Sequence, residues 1–142
     1  MQLTKYTDYA LRVLMFLSIQ EDPAQKVRIQ HIADAFEIPK NHLIKVVHRL
    51  GQEGYVETVR GKGGGIKLCQ PPEKVSVGEV VRSMEATLHP VSCDKPACCI
   101  QSGCLLKPVL FQAMRAFLSV LDQYSLADIS ANPEALKRLL QA

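Results

Sequence analysis

Apolar residues recur three or four positions apart in three consecutive segments of the first half of the chain. This is the spacing of amphipathic helices, in which one face is buried and the other meets water. The first segment spans residues 8–21, the second is shorter, and a break at residues 37–39 separates it from the third. The apolar positions are Ala10, Val13, Leu14 and Leu17, then Ile29, Ile32, Ala33 and Phe36, then Leu43, Val46, Val47 and Leu50. The pattern predicts three helices, each with one buried face.

A β-hairpin is predicted directly after these helices. Residues 55–60 are rich in β-branched and aromatic side chains, residues 61–65 read Gly-Lys-Gly-Gly-Gly, and residues 66–69 form a second short run. Two such runs joined by a glycine-rich turn are typical of a hairpin. Helix, helix, tight turn, helix and a basic-tipped hairpin is the order of a winged helix-turn-helix. We therefore predict that residues 1–75 form a DNA-binding domain.

A short helix and a cysteine-rich loop are predicted over residues 76–104. Ser76 and Glu79 match a capping box, in which Ser76 caps the helix and Glu79 bonds back to it. Residues 88–103 are rich in Pro, Ser, Asp, Gly and Cys, which predicts a loop. The apolar stripe of the helix consists of Val77, Val80, Val81 and Met84.

A long helix is predicted within residues 105–142. Its apolar residues recur at alternating steps of four and three positions, which is the spacing of a coiled-coil seam. They are Leu106, Leu110, Ala113, Phe117, Val120 and Tyr124. We expect this helix to pack against a second copy of itself, and the alternative is a core helix that crosses its own N-terminal domain. Asn132 and Pro133 predict the start of a last short helix. The predicted fold class is mainly α with a small β-hairpin: a winged helix-turn-helix domain plus a long dimerisation helix.

Composition and charge narrow the classes of function. The 142 residues are 47% hydrophobic and 22% charged, which is ordinary for a globular protein. The longest apolar run, residues 13–17, is far too short to span a bilayer, and the N-terminus lacks a secretory pattern. We therefore expect a cytoplasmic protein with no membrane partner. Residues 1–70 hold ten Lys and Arg against seven Asp and Glu, whereas residues 71–142 hold seven of each. A basic first half favours a polyanion partner, with a merely solvated surface as the alternative.

The third helix and the hairpin tip carry the residues that we expect to contact double-stranded DNA. An α-helix fits the major groove, where asparagine can pair with adenine and lysine or arginine can meet guanine or phosphate. The tip can enter the neighbouring minor groove, and its glycines allow a close approach to the DNA backbone. The candidate residues are Asn41, His42, Lys45, His48 and Arg49 on the helix, and Arg60 and Lys62 on the tip.

Four of the five cysteines lie within twelve residues: Cys93, Cys98, Cys99 and Cys104. An odd number of cysteines without a secretory signal argues against a disulfide framework. The spacing Cys-x4-Cys-x5-Cys lacks the paired knuckles of structural zinc and suits an iron–sulfur cluster with one foreign ligand. A zinc site that includes His89, and simple redox thiols, are the alternatives. Cys69 stands apart, and we expect it to be a small buried apolar residue.

With these elements in place, the chain resembles the iron–sulfur winged-helix regulators of bacteria, the group that includes IscR, and among them the nitric-oxide-sensing NsrR type. The resemblance rests on residues 1–12 (MQLTKYTDYALR), 41–45 (NHLIK) and 59–66 (VRGKGGGI). Residues 78–85 (GEVVRSME) and 121–128 (LDQYSLAD) match as well, as do the three cysteines Cys93, Cys98 and Cys104.

The resemblance implies a homodimer that binds a palindromic promoter site and holds one cluster in each subunit, with 4Fe-4S favoured over 2Fe-2S. In such proteins nitric oxide nitrosylates the cluster and releases the repressor, so that nitric oxide detoxification genes are expressed. The family's ligands correspond to Cys93, Cys98 and Cys104. In some members an acidic residue of the partner subunit is the fourth ligand, and it corresponds to Asp8. The alternative role for Asp8 is to cap the first helix.

Two positions depart from the patterns of the family. The IscR subtype has a histidine three residues after its last cysteine, where this chain has Lys107. That difference favours the nitric-oxide-sensing type. Cys99 stands where another residue type is usual, which leaves ligand exchange between Cys98 and Cys99 open.

The leading hypothesis is therefore a nitric-oxide-sensitive iron–sulfur repressor of nitrosative-stress genes. One alternative is an IscR-like regulator of iron or iron–sulfur cluster biogenesis genes. Another, from a different class, is an iron–sulfur electron-transfer protein, although such a carrier needs no basic helix and hairpin. An enzyme is not expected, because the sequence shows no Ser/His/Asp set and no carboxylate pair.

Overall fold

The first half of the chain folds as three helices and a hairpin, as predicted. A computed structural model describes residues 1–141. Helices α1 (Lys5–Ser18), α2 (Ile29–Phe36) and α3 (Lys40–Gln52) are followed by strands β1 (Val56–Val59) and β2 (Gly65–Leu68). The winged helix-turn-helix order is confirmed.

Helix α1 starts and ends three residues earlier than the apolar periodicity predicts. Thr4 has an extended backbone, with φ −62° and ψ 151°, and its Oγ1 accepts a hydrogen bond from Thr7 N at 3.3 Å. This is the geometry of an N-cap, so the helix begins at Lys5. Asp8 lies within the first turn and does not open the helix. The alternative role of Asp8 as the cap is therefore wrong, because Thr4 already occupies that position.

The predicted apolar faces of the three helices form one core. Each fully buried aliphatic or aromatic side chain contributes roughly 1.5–3 kcal/mol to folding. Ile29 and Phe36 are only half-buried and pack against the edge of the core. The residues at most 2% exposed in these helices include Val13, Leu14, Phe16, Ile32, Leu43, Val46, Val47 and Leu50.

The hairpin is fixed to the helices through β2. Strands β1 and β2 pair antiparallel, with Val56 opposite Leu68 and Val59 opposite Gly65. Val27, just before α2, adds to β2: Val27 N donates to Ile66 O at 2.9 Å, and Ile66 N donates to Val27 O at 2.8 Å. Gly65 has φ +152°, and a Cβ there would lie 2.7 Å from Val27 O. Only glycine permits this approach. It holds the hairpin tip, residues 60–64, which we call the wing, close to the start of α2.

The second half contains helices α4 (Val77–Met84), α5 (Leu106–Leu121), α6 (Leu126–Ile129) and α7 (Pro133–Leu140), with 3₁₀ turns at Pro72–Lys74 and Gln101–Gly103. The predicted loop over residues 88–103 is confirmed apart from the second of these turns. Asn132 caps α7, because its Oδ1 accepts a hydrogen bond from Ala135 N at 3.2 Å. Helix α6 was not predicted, because four residues are too few for a periodicity to show.

The capping box predicted at Ser76 forms only in part. Ser76 Oγ accepts a hydrogen bond from Glu79 N at 3.4 Å, as expected. The Glu79 carboxylate instead accepts from Arg82 Nη1 at 3.2 Å, because that cation lies one turn further along the helix. A complete capping box is found at the start of α6, between Ser125 and Asp128.

The end of α5 is tied to the start of α4. Helix α5 ends at Leu121, so that Tyr124, the last member of the predicted seam, lies beyond it. Val77 N donates to Tyr124 O at 3.0 Å. The Arg82 guanidinium forms a two-point pair with Asp122, with Nη2 to Oδ2 at 2.7 Å, and holds the pKa of that carboxyl below its usual value. The helix is thus held at its C-terminal end to α4, whose Val80 and Met84 are buried in the core with side chains of α1–α3.

The predicted segments share one core. Val80, Met84 and Leu126 are buried in the same cluster as the side chains of α1–α3. The boundaries predicted at residues 75/76 and 104/105 stay predictions. Within residues 1–141, no helix combines the length and the hydropathy needed to cross a membrane.

Candidate DNA-binding surface and cysteine loop

Helix α3 presents a polar face opposite its buried one. At 100° per residue, Asn41, Lys45 and His48 lie within about 30° of the direction opposite the core. His42 and Arg49 lie further round one side, and all five predicted side chains are exposed. Tyr6 of α1 holds this helix from behind, because its hydroxyl donates to Lys45 O at 3.1 Å. The helix is therefore fixed by its backbone and its apolar face, which leaves the predicted side chains accessible to a groove.

Arg49 differs from the other predicted residues because it already has partners. Its Nη2 lies 2.7 Å from Glu53 Oε1 and donates to Ser83 O at 3.4 Å. The side chain is 45% exposed. An exposed pair of this kind contributes only a few tenths of a kcal/mol, so a phosphate can displace it.

The wing carries Arg60 and Lys62 in exposed positions. Gly61 and Gly63 on either side of Lys62 have φ +91° and +74°, which bends the chain sharply at the tip. In the described part of the chain, Lys45, Arg60 and Lys62 form no ion pair. Their charges are therefore uncompensated locally, as a phosphate-binding surface requires.

Residues that the sequence analysis did not single out border the same surface. Arg28 is exposed at the N-cap of α2, next to Val27, which pairs with the hairpin. Lys40 is exposed at the start of α3, and Ile44, in the same helix, is 44% exposed. The alternation of Lys26 and Arg28 around apolar Val27 was the available signal for Arg28, but its meaning depends on the contact with β2.

The cysteine loop lies between α4 and α5 and ends directly before α5. Cys93 is buried, Cys98 and Cys99 are exposed, Cys104 is half-buried, and all are free thiols. Cys98 N donates to Cys93 O at 2.9 Å, which closes the first part of the loop. Over residues 1–141 no three Cys, His, Asp or Glu side chains converge to hold one metal ion. The donor chemistry nevertheless fits an iron–sulfur cluster, because the loop supplies thiols that are not consumed by disulfides.

Cys69 is exposed, so the prediction that it is a small buried residue is wrong. It follows the last residue of β2, where its N–H donates to Tyr55 O at 3.0 Å. Partial desolvation of the thiol, together with the Glu57 carboxylate, raises its pKa. A raised pKa disfavours the thiolate, which is the form that binds metal.

Asp8 is paired within its own helix. Its Oδ2 lies 2.9 Å from Arg12 Nη2 and its Oδ1 accepts from Arg12 Nε at 3.1 Å, with both side chains 43% exposed. Arg12 also lies over the ring of Phe36, 5.7 Å from its centroid. The carboxylate is therefore accessible, and it is held by an exposed pair that is weak enough to exchange.

Helix α5 is apolar on two faces, and none of its residues is buried in the single chain. Leu110, Met114, Phe117 and Leu121 are half-buried and form one face. Leu106, Val109, Ala113, Ala116 and Val120 are exposed and form the other, which we call the outer stripe. The predicted seam took members from both faces, because alternating steps of four and three residues do not separate two adjoining apolar stripes. Exposure of Leu106 is 61%, of Val109 58% and of Val120 54%.

Comparison with known proteins agrees with this architecture. The family model Rrf2, described as an iron-dependent transcriptional regulator, matches residues 3–132. The HTH-type transcriptional regulator NsrR of Bacillus subtilis is 50% identical over 144 residues, covering 99% of this chain and 98% of that protein. The protein of the same name from Geobacillus kaustophilus is 45% identical, covering 99% and 97%.

Solved structures share the fold. CymR, the global cysteine regulator of B. subtilis, superposes with a TM-score of 0.76 at 22% identity and covers 92% of this chain and 97% of its own. IscR of T. potens superposes with a TM-score of 0.72 at 23% identity, covering 91% and 85%. The curated relatives are regulators of transcription and not enzymes. The chain therefore belongs to the Rrf2 family of transcriptional regulators, and within that family its sequence is of the NsrR type.

Proposed function

We propose that this chain is a nitric-oxide-sensitive iron–sulfur repressor that binds palindromic promoter DNA as a homodimer and controls nitric oxide detoxification genes. The observation that carries the proposal is the connection between two parts of the chain. A loop with four free thiols runs directly into α5, the helix with the exposed apolar stripe, and the far end of α5 is tied to α4, which packs in the same core as the DNA-binding domain. A change at the thiols can therefore act on α5 and, through α5, on the DNA-binding domain.

DNA recognition is assigned to α3 and the wing. Asn41, Lys45 and His48 face the major groove, where asparagine pairs with adenine and lysine meets guanine or phosphate. His42 and Arg49 contact the edges of the groove, and Arg60 and Lys62 reach the neighbouring minor groove. The net charge of +3 favours this association over long distances.

Dimerisation is assigned to the outer stripe of α5. Exposed apolar residues in a continuous row mark an interaction surface, and a 3-4-3-4 spacing is that of helix pairing. The alanines at positions 113 and 116 allow two such helices to approach closely. Pairing sets the distance between two α3 helices, which must be about 34 Å to meet successive half-sites on one face of DNA.

The cluster is assigned to Cys93, Cys98 and Cys104, with Asp8 of the partner subunit as the fourth ligand and 4Fe-4S favoured over 2Fe-2S. When bound, an iron–sulfur cluster supplies iron atoms that react with nitric oxide. The chain's own residues contribute the thiolates, and the three that we assign lie within one loop, whereas Cys69 lies apart from it at the end of β2. Asp8 exchanges its exposed pair with Arg12 for the new contact at small cost. Because a carboxylate binds iron less firmly than a thiolate, Asp8 would be the first of the four ligands to be replaced.

The test is anaerobic purification followed by titration with nitric oxide. We expect visible absorption with iron and sulfide bound per chain, a sedimentation mass of a dimer, and specific binding to a duplex selected from a random library. Nitric oxide should bleach the spectrum and release the DNA over the same range of additions. A purified protein that binds DNA equally well before and after nitrosylation would contradict the sensing part of the proposal, and a protein without iron would contradict the cofactor.

A further inference from the structure

One large apolar side chain is exposed on the surface of α3 that we propose to contact DNA. In the described residues between Lys5 and Met84, Ile44 is the one large hydrophobic residue that is exposed, with 44% of its surface accessible. It belongs neither to the buried core nor to the hydrophobic residues packed against it. The other exposed large hydrophobic residues are Met1, Ile100 in the cysteine loop, and residues from Leu105 onwards.

The position of Ile44 on α3 places it beside the predicted base-reading residues. It lies about 70° from the direction opposite the core, on the side away from Arg49, which contacts Glu53 and Ser83. It is three residues after Asn41 and four before His48, so the three side chains are neighbours on the helix surface. An apolar branched side chain therefore stands at the edge of an otherwise polar surface.

The major groove offers one apolar group on the base edges, the C5-methyl of thymine. An exposed isoleucine on a helix in that groove removes its own methyl groups and the thymine methyl from water together, which favours thymine over the other bases. We propose that Ile44 reads a thymine methyl group and makes that thymine a determinant of sequence specificity. The inference rests on the proposed function, because it requires α3 to enter the major groove.

Replacing thymine by deoxyuridine tests this contact, since the change removes the methyl group and leaves base pairing intact. The duplex is the one selected from a random library by the anaerobically purified protein. Each thymine of a half-site is replaced in turn, and binding is measured by fluorescence anisotropy. We expect one position per half-site at which the replacement weakens binding about fourfold, the value for one methyl group removed from water.

The Ile44→Ala variant should bind the thymine duplex more weakly and lose the discrimination between thymine and deoxyuridine. Ile44→Val should keep the discrimination, because it retains a β-branched methyl. Lys45→Ala is the matched control: it should lose affinity for both duplexes by the same factor. Circular dichroism checks that the variants fold, which an exposed helical position and the high helix propensity of alanine favour.

The outcomes separate this inference from the proposed function. If the parent protein selects no duplex, the DNA-binding proposal fails and takes the inference with it. If the parent binds a selected duplex but no deoxyuridine replacement weakens binding, the thymine contact is wrong while DNA binding stands. If Ile44→Ala retains the parent's full discrimination, another residue reads the methyl group and the assignment to Ile44 is overturned.

Discussion

The DNA-binding domain and helix α5 differ in how far their apolar side chains are buried. In α3 four of the five large apolar residues, Leu43, Val46, Val47 and Leu50, are at most 2% exposed, whereas over the whole of α5 no residue is buried. The first region completes its core with residues of its own chain. The second presents an apolar row that a single chain leaves in contact with water, beside a loop of free thiols. The comparison indicates that the helix-turn-helix completes its core within one chain, and it supports our proposal that sensing and pairing belong to the assembly.

The cysteines give the largest expected effect. Alanine at Cys93, Cys98 or Cys104 should abolish the visible absorption of the anaerobic protein, because each removes a thiolate ligand. Cys69→Ala is the matched control and should keep the full spectrum, since this exposed thiol has a raised pKa. Iron retained by Cys93→Ala and lost by Cys69→Ala would reverse the assignment.

A charge placed in the outer stripe tests the assembly side of the comparison. Val109→Asp should convert the dimer to a monomer in analytical ultracentrifugation, because an unpaired charge buried in an interface costs about 3–5 kcal/mol. Ser119→Asp is the control, since Ser119 is exposed on the same helix but outside the stripe. Affinity for a palindromic duplex should fall with the dimer. A Val109→Asp protein that stays dimeric would show that the dimer interface is not the outer stripe.

Asp8 connects the two regions if it reaches the partner's cysteine loop. Asp8→Ala should leave a cluster on three thiolates with an altered spectrum and an altered response to nitric oxide. Because Thr4 caps α1, the stability of the variant should fall only by the exposed ion pair, about 0.3–0.5 kcal/mol.

Arg12→Gln is the matched control for Asp8→Ala, since it breaks the same Asp8–Arg12 ion pair but keeps the Asp8 carboxylate. It should leave the spectrum unchanged. If Asp8→Ala has the parent's spectrum, nitrosylation behaviour and DNA affinity, Asp8 plays no part in sensing.

The reading surface can be weakened without touching the core. Lys45→Ala and Arg60→Ala should each reduce DNA affinity and lower the slope of log affinity against log salt by about one unit. Both side chains are exposed, so the free energy of unfolding should change by less than about 0.5 kcal/mol. Anisotropy titrations at several salt concentrations and urea melts measure the two quantities. Unchanged affinity in both variants would show that DNA does not bind at α3 and the wing.

The smallest effect concerns the junction between α4 and α5. The hydrogen bonds from Arg82 lower the pKa of Asp122, so ionised Asp122 stabilises the folded state above the unfolded pKa of about 3.8, and this contribution is lost as pH falls through the lower folded value. Asp122→Asn should therefore be less stable than the parent at pH 7, and the difference should close below about pH 4. Urea melts across this range measure it, and a difference independent of pH would show that the pair does not act through ionisation.

The sequence determined the elements of the DNA-binding domain because local rules and burial agree there. Three amphipathic periodicities, a proline break and a glycine-rich turn indicated three helices and a hairpin, and the structure has them. Where two rules compete locally, the sequence was less decisive. The start of α1 at Lys5 depended on the hydrogen bond that Thr4 accepts as its N-cap. The capping box at Ser76 stayed incomplete because Arg82 takes the Glu79 carboxylate.

Only the tertiary structure decided which segment covers each apolar face and which exposed side chains stay uncovered. The exposed thiol of Cys69, the pairing of Val27 with β2 and the separation of α5 into an inner and an outer stripe all depend on contacts between segments far apart in sequence. The exposure of Ile44 beside Asn41 belongs with them. A periodicity states that a helix has an apolar side, but the neighbour that covers this side is set by packing. The outer stripe of α5 and the exposed thiols of Cys98 and Cys99 are left uncovered by the described part of the chain, and we propose that a second copy covers them.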